Sequence, residues 1–177
     1  MSITTTIREQ VRQRANFACE YCGVSETDAG GQLTIDHFRP IAKEGDDSYD
    51  NLIYCCVRCN QYKLDFWSAV PTAPRLWNPR NDPISQHFFE LDDGILLPIT
   101  EVGAFTLRRL RLNRRPLVMH RLRERQLARE ARLLIHYREL ARTTHQLLTQ
   151  QSVLLEGQQR LLERQQELLR LIVNRRK

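Results

Sequence analysis

Paired cysteines constrain this chain more than any other feature of its sequence. Four of its five cysteines form two pairs, each with a gap of two residues: Cys19 with Cys22, and Cys56 with Cys59. Such a gap forms a tight turn that directs two sulfur atoms at one point, so two pairs can supply the four ligands of one tetrahedral zinc ion. We expect the remaining Cys55 to pack in the core as a small apolar residue.

Polar residues that a purely structural zinc loop does not need lie between and just after these pairs. They are Asp36, His37, Asn51, Asn60 and Lys63. Within the segments YCG, LTIDHFRPI and DDSYDNLIYCCVRCNQYK, these residues resemble the signature of the HNH endonuclease family. The third signature position holds Asn60 rather than a histidine, as it does in many family members. The resemblance covers residues 8–66.

The resemblance implies a particular fold, the ββα-metal finger of the family. A strand that starts at residue 33 would deliver Asp36 and His37, and a bend or strand end would bring both side chains towards one phosphate. Residues 51–54 would form the second strand, and residues 60–66 a short helix. We therefore predict an α+β chain, with a small zinc-containing ββα-metal nuclease domain, a β-hairpin and helix, and a long C-terminal helix.

The residue types near the cysteines suit phosphodiester hydrolysis, which needs an activated water and relief of charge on the phosphate and the leaving oxygen. His37 is the candidate general base, because a neutral imidazole accepts a proton near neutral pH. Asp36 and Asn60 are candidate ligands of a catalytic divalent ion, since their oxygens suit Mg²⁺ or Mn²⁺ better than zinc. A buried Asp36–His37 pair in an inert zinc module is the alternative.

Further residues have supporting roles in this interpretation. The resemblance implies that Asn51 bonds to the loop backbone and holds His37 in line with the phosphate. Lys63 lies one helical turn after Asn60 and could steady the charge of the phosphate, although a plain solvated lysine is nearly as good an interpretation. The arginines that could touch phosphates are Arg8, Arg12, Arg14 and Arg39.

The segments that flank the finger predict short elements. Before it, a helix over residues 4–16 would be capped by Thr5 or Thr6, and residues 24–31 indicate a polar loop. After it, prolines predict a connector, and two apolar runs around an Asp-Asp-Gly turn predict a hairpin. Thr100 suits the N-cap of a final short helix. These later segments are residues 67–86, residues 87–91 with 95–99, and residues 101–112.

A seven-residue repeat dominates the last third of the chain. Residues 117–173 contain no proline and a single glycine, Gly157. Leucine recurs at Leu133, Leu140, Leu147, Leu154, Leu161 and Leu168, and a second apolar row follows one residue later. A repeat of this length predicts a coiled coil. The helix cannot bury its leucines alone, so it would pair with another copy, fold back near Gly157 or bind a partner helix.

Charge is distributed unevenly along the chain. The net charge is +6, but residues 1–105 hold 9 Lys and Arg against 15 Asp and Glu, whereas residues 106–177 hold 18 against 6. A basic arm on an acidic head suggests that the arm holds a polyanion. A solvated helix face is the simpler alternative.

The sequence also bears on location and on the division into domains. The N-terminal residues lack the apolar core of a secretory signal, and no stretch is long and apolar enough to span a membrane. With an odd number of cysteines, a reducing, cytoplasmic setting fits best. We divide the chain into the nuclease domain (residues 1–70), the connector with hairpin and helix (71–115) and the long basic helix (116–177).

Together these patterns predict a metal-dependent DNA endonuclease with a structural zinc and a basic coiled-coil arm. DNA is the expected partner, and a second copy or a partner protein would engage residues 117–177. Two alternatives stay open. One is a nuclease subunit of a larger defence or mobile-element complex, docked through the C-terminal helix. The other is a zinc-containing DNA-binding or assembly protein that does not cut.

Overall fold

The computed structural model describes residues 3–70 and 72–175. Its regular elements are α1 (Thr5–Arg14), α2 (Glu26–Ala29), β1 (Thr34–His37), β2 (Leu52–Cys55), α3 (Val57–Lys63), β3 (Phe88–Glu90), β4 (Leu96–Pro98), α4 (Glu101–Arg109) and α5 (Arg115–Arg175). Single 3₁₀ turns lie at Ile41–Lys43 and Ile84–Gln86. Two small antiparallel sheets and a long C-terminal helix confirm the predicted α+β class.

Strands β1 and β2 form the first sheet, and their register assigns its two faces. Asp36 lies opposite Ile53, and His37 lies opposite Leu52. Because side chains alternate across a strand, Asp36 and His37 leave the backbone towards opposite faces. Ile53 belongs to the apolar cluster around the cysteines, whereas Leu52 packs with Val11 of α1. Strand β1 ends at His37, and the chain bends over the next two residues.

Helix α1 covers one face of this sheet. Its Val11 is fully buried in a cluster with two residues of β2. Thr4 has an extended backbone and caps the helix with its side chain, so the predicted cap at Thr5 or Thr6 was wrong by one or two residues.

Two arginines of α1 are occupied inside the protein. Arg12 forms a two-pronged pair with Glu26, with nitrogen–oxygen distances of 2.6 and 2.7 Å, and the Tyr54 hydroxyl donates to the same carboxylate. The hydrogen bond from Arg12 holds the pKa of Glu26 well below its usual range, at about 2. Arg14 donates to two backbone carbonyls, in β2 and in the loop before it. These partners argue against the expectation that Arg12 and Arg14 contact phosphates.

The segment predicted to be a polar loop, residues 24–31, contains the short helix α2. Ser25 caps it by accepting a hydrogen bond from Asp28 N at 3.1 Å. Gly30 ends it with a left-handed φ of 74°. Four residues are too few to display an apolar periodicity, which is why the loop prediction was wrong here.

The second sheet, of β3 and β4, packs beside α4. Thr100 accepts a hydrogen bond from Gly103 N at 3.0 Å, which confirms the predicted N-cap. Helix α4 ends at Arg109, three residues before the predicted end. The connector before this sheet is fixed by Trp77, which is 3% exposed and lies edge-on against Phe88.

Helix α5 takes part in two compact units. The first unit extends to Glu124, and the second runs from Arg125 onwards. Within the first unit, Leu117 is buried, and Arg121 donates to the carbonyl of Gly94, in the turn between β3 and β4, and to that of Leu112, just after α4. Within the second unit, the leucines of both rows are more than half exposed. Among the helices that the structure describes, none combines the length and apolar character needed to cross a bilayer.

Candidate functional site

The four paired cysteines converge on one point. Their sulfur atoms all lie within 4.8 Å of one another, and the Cys22 and Cys56 sulfurs are 3.7 Å apart. A tetrahedral zinc ion with Zn–S bonds of about 2.3 Å keeps its sulfurs about 3.8 Å apart. A disulfide would need about 2.05 Å. The number, chemistry and spacing of the thiols therefore fit a structural zinc ion.

Local backbone geometry builds both cysteine turns. In the first turn, Gly23 N donates to Cys19 O at 2.8 Å, and Gly23 has a left-handed φ of 78° that glycine adopts without strain. In the second turn, the Cys56 sulfur accepts a hydrogen bond from Cys59 N at 3.5 Å and caps α3. The helix consequently begins at Val57, three residues before the predicted start, because a cysteine of the cluster is itself the cap.

The neighbours of the cluster suit a metal centre. Arg114 Nη2 lies 3.9 Å from the Cys59 sulfur, so a guanidinium would offset the excess negative charge of four thiolates around one zinc ion. Cys55 is fully buried and lies outside the group of four. Burial raises the pKa of the Cys55 thiol, which suits the expected core residue rather than a ligand.

Asp36 and His37 lie at the end of β1, where other elements hold them. Lys63 of α3 reaches both residues, with Nζ 2.8 Å from Asp36 Oδ2 and donating to the His37 carbonyl at 2.7 Å. On the side chain of His37, Nε2 lies 2.8 Å from Asp47 Oδ1. A helix and a loop therefore fix the two residues from different directions.

Lys63 is fully buried, so the solvated lysine considered from the sequence is excluded in this conformation. Its ammonium is paired with Asp36, whose side chain is only 15% exposed. Burial raises the pKa of Asp36 above its ordinary value, and Lys63 lowers it only in part. The effect of burial on the pKa of this carboxyl group therefore outweighs that of its lysine partner.

Asn51 stands just before β2 and binds backbone on both sides of the bend. Its Oδ1 accepts a hydrogen bond from Arg39 N at 2.8 Å, and its Nδ2 donates to Arg39 O at 3.0 Å and to Asp46 O at 2.8 Å. Its own carbonyl accepts from Phe38 N at 2.7 Å. One carboxamide thus joins the segment after His37 to the acidic loop of residues 44–50.

Asn60 lies on the Asp36 side of the sheet. Its Nδ2 is 3.5 Å from Thr34 Oγ1, and Thr34 shares a strand face with Asp36. Helix α3 thus carries Asn60 and Lys63 to the face that Asp36 occupies. His37, the next residue of β1, leaves the backbone towards the opposite face, where its side chain contacts Asp47.

A comparison with known protein families gives a match in the part of the chain that contains the four cysteines, the strand pair and helix α3. Residues 19–66 match the HNH endonuclease family. We refer to them as the HNH segment, which makes up less than half of the chain. Its four clustered cysteines fit a zinc-binding variant of the family. A search of curated proteins found no match.

Two residues of the HNH segment were absent from the predicted site. Asp47 pairs with His37, but the sequence offers nothing that separates it from the other acids of residues 44–50. Gly45 allows a close approach of two backbones, since a Cβ there would lie 1.8 Å from Arg39 O. A glycine among acids is a weak signal of such an approach.

A second group of possible ligands consists of Asp28, His120 and Glu124. The Arg123 guanidinium lies 3.7 Å from the Asp28 carboxylate. His120 Nε2 also lies 3.3 Å from Gly23 O. We interpret these contacts as structural, since they attach the first turns of α5 to the HNH segment.

The cysteine cluster predicts that the purified protein carries about one zinc ion per chain. Cys19→Ser should lose the ion and unfold the HNH segment, because a structural zinc contributes directly to folding. Elemental analysis and circular dichroism measure both effects. Cys55→Ser is the matched control and should keep its zinc. Zinc loss in that control would contradict the ligand assignment.

The buried ion pair predicts a large effect of Lys63→Met. The substitution leaves the Asp36 carboxylate uncompensated and should lower the free energy of unfolding by about 3–5 kcal/mol. Adding Asp36→Asn to this variant should recover part of the loss, because the buried charge is removed as well. Urea denaturation of the zinc-loaded proteins measures the difference. Lys43→Met, at a partly exposed lysine, should change stability by only about 0.5 kcal/mol.

Proposed function

We propose that this protein is a metal-dependent DNA endonuclease that hydrolyses phosphodiester bonds with His37 as the general base. The observation that carries the proposal is the position of His37 in an HNH segment, at a strand end held by Lys63 and Asp47. HNH domains are generally nuclease domains, which supports the class of reaction.

In the proposed reaction, His37 takes a proton from a water molecule while the water oxygen forms a bond to phosphorus. The bond from phosphorus to the 3′ oxygen breaks, and that oxygen takes a proton from solvent. His37 then returns its proton to solvent. General base catalysis of this kind contributes roughly 10²–10⁴-fold to the rate.

Asp36 and Asn60 would hold the catalytic Mg²⁺ or Mn²⁺ ion. Carboxylate and amide oxygens are the hard donors that these ions prefer. The Asp36 side chain is only 15% exposed, so a second cation beside it would offset part of the cost of burying its charge. When bound, the ion would neutralise charge on the phosphate and on the leaving oxygen.

Asn51 and Lys63 act through other residues in this proposal. Asn51 fixes the backbone that follows His37, and Lys63 fixes both the Asp36 carboxylate and the His37 carbonyl. The burial of Lys63 supports this supporting role over direct contact with a phosphate.

The C-terminal helix would bind DNA phosphates and join two or more copies of the chain. Residues 125–142 carry 5 Arg against 2 Glu, whereas residues 143–171 carry 3 Arg against 3 Glu. The first part suits a polyanion, and the balanced second part lets copies approach without net repulsion. The exposed leucine rows offer the apolar seam that a second copy would bury.

The same exposed rows favour a second candidate function. In it the protein is a nuclease subunit that docks through α5 onto another protein, in a larger defence or mobile-element complex. A zinc-containing DNA-binding or assembly protein that does not cut shares these features, so a cleavage assay separates it from both. A cytoplasmic location belongs to the proposal, because five cysteines without a disulfide bond suit a reducing compartment.

Cleavage of supercoiled plasmid tests the proposed reaction. The wild-type protein should cut with Mg²⁺ or Mn²⁺ and stop when chelator is added. His37→Ala should slow cleavage by about 10²–10⁴-fold with zinc content and DNA binding unchanged. Asp36→Ala and Asn60→Ala should remove metal-dependent cleavage without removing zinc.

Controls sharpen this assay. His136→Ala removes an exposed histidine of α5 and should leave the rate unchanged. Asn60→His should keep some activity and shift the preferred metal towards softer ions such as Ni²⁺. A wild-type rate in His37→Ala would show that another group is the base. A wild-type protein that binds DNA but never cuts would favour the non-cutting alternative.

Self-association of the arm predicts a matched pair of double variants. Leu147→Glu with Leu154→Glu should break the oligomer, because charges would enter the apolar seam. Gln146→Glu with Gln159→Glu adds the same charge outside the leucine rows and should leave the oligomer intact. Light scattering after gel filtration gives the mass of each. If the wild-type protein is a monomer, the exposed leucine rows would instead be assigned to the binding of a partner protein.

A further inference from the structure

We propose that Asp47 is the positioning residue of His37. Its carboxylate accepts a hydrogen bond from Nε2–H of the imidazole, which leaves Nδ1 as the nitrogen that takes the proton from water. This inference rests on the proposed function, because it assigns a nitrogen of the proposed general base.

The contact itself determines the tautomer. His37 Nε2 lies 2.8 Å from Asp47 Oδ1, with the two side chains 22% and 33% exposed. An ionised carboxylate can only accept hydrogen bonds, and a neutral imidazole has one donating and one accepting nitrogen. Nε2 must therefore carry the proton when His37 is neutral, and Nδ1 keeps the lone pair.

The loop that carries Asp47 is fixed on both sides of it. Asn51 Nδ2 holds the Asp46 carbonyl, and Ser48 donates from its hydroxyl to the Asp46 carboxylate at 2.6 Å. Gly45 N donates to Pro40 O at 3.0 Å, at a place where only glycine fits against the neighbouring backbone. A loop whose backbone is held by these contacts therefore places Asp47 beside His37.

The pairing has two effects on the reaction. It prevents the imidazole ring from rotating, so Nδ1 keeps one direction while a water is deprotonated. It also places a negative charge beside the imidazolium that forms when His37 takes the proton. Both effects predict that loss of the carboxylate slows the reaction. An acid that merely occupied the place of a phosphate would have the opposite effect, because its removal would speed cleavage.

Single-turnover plasmid cleavage with saturating metal distinguishes these possibilities. Asp47→Asn should slow the full-length zinc-loaded protein about 10–100-fold, as expected when a group that orients a catalytic residue is lost. Asp47→Glu should recover part of the rate. Asp50→Asn is the matched control, since it removes an exposed acid of the same loop, and it should cut at the wild-type rate. An unchanged or faster Asp47→Asn variant would overturn the proposal.

Nuclear magnetic resonance of ¹⁵N-histidine-labelled protein gives a readout that simple loss of structure would not produce. The ring nitrogens of wild-type His37, assigned by their absence in His37→Ala, should report the Nε2–H tautomer. Asp47→Asn should give a mixture of tautomers with zinc content and melting temperature unchanged. A wild-type Nδ1–H tautomer would overturn the proposal.

The cleavage assay and the tautomer measurement test separate claims. A wild-type protein that does not cut would overturn the proposed function and the catalytic use of the pair. The tautomer would still decide whether Asp47 orients His37. A protein that cuts through His37 but ignores Asp47→Asn would retain the proposed function and lose only this inference.

Discussion

Convergence of four sulfur atoms is the constraint on which the HNH segment depends. The two cysteine pairs enclose β1, the acidic loop and β2, so one shared ion would close the loop that carries most of the candidate site. Closing a loop removes conformational freedom from the unfolded chain, and zinc binding then stabilises everything within it. Helix α3 also starts on Cys56, so its direction is fixed at the cluster.

One buried lysine links the helix that starts at the cysteine cluster to the candidate catalytic residues. Lys63 lies at the far end of α3 and holds both Asp36 and the His37 carbonyl. Asn51 then fixes the bend that follows, and the acidic loop supplies the partner of the His37 side chain. In this series of contacts, the regular elements fix the positions of the less regular segments beside them. The cysteine cluster and the candidate catalytic residues are thereby connected through side chains of the protein itself.

The sequence predicted the parts of this site that depend on local spacing. The cysteine pairs of the site are visible in a few neighbouring residues. Elsewhere in the chain, the Thr100 cap and the seven-residue repeat of the long helix are visible in the sequence as well. Asp47 and the burial of Lys63 are not, because both depend on how a loop and a helix meet the end of β1. The start of α3 was missed for a different reason. Cys56 belongs to the cysteine cluster and also caps α3, and the sequence rules for helix caps do not consider a cysteine in both roles.

The heptad rows of α5 have a consequence for how such a chain can change over evolutionary time. Insertion or deletion of seven residues leaves both leucine rows in register, whereas one residue rotates everything beyond it by about 100° around the helix. Because the second compact unit begins only at Arg125, such changes fall outside the unit that contains the HNH segment. The length of the second unit can therefore vary in whole heptads without any change to the unit that contains the HNH segment.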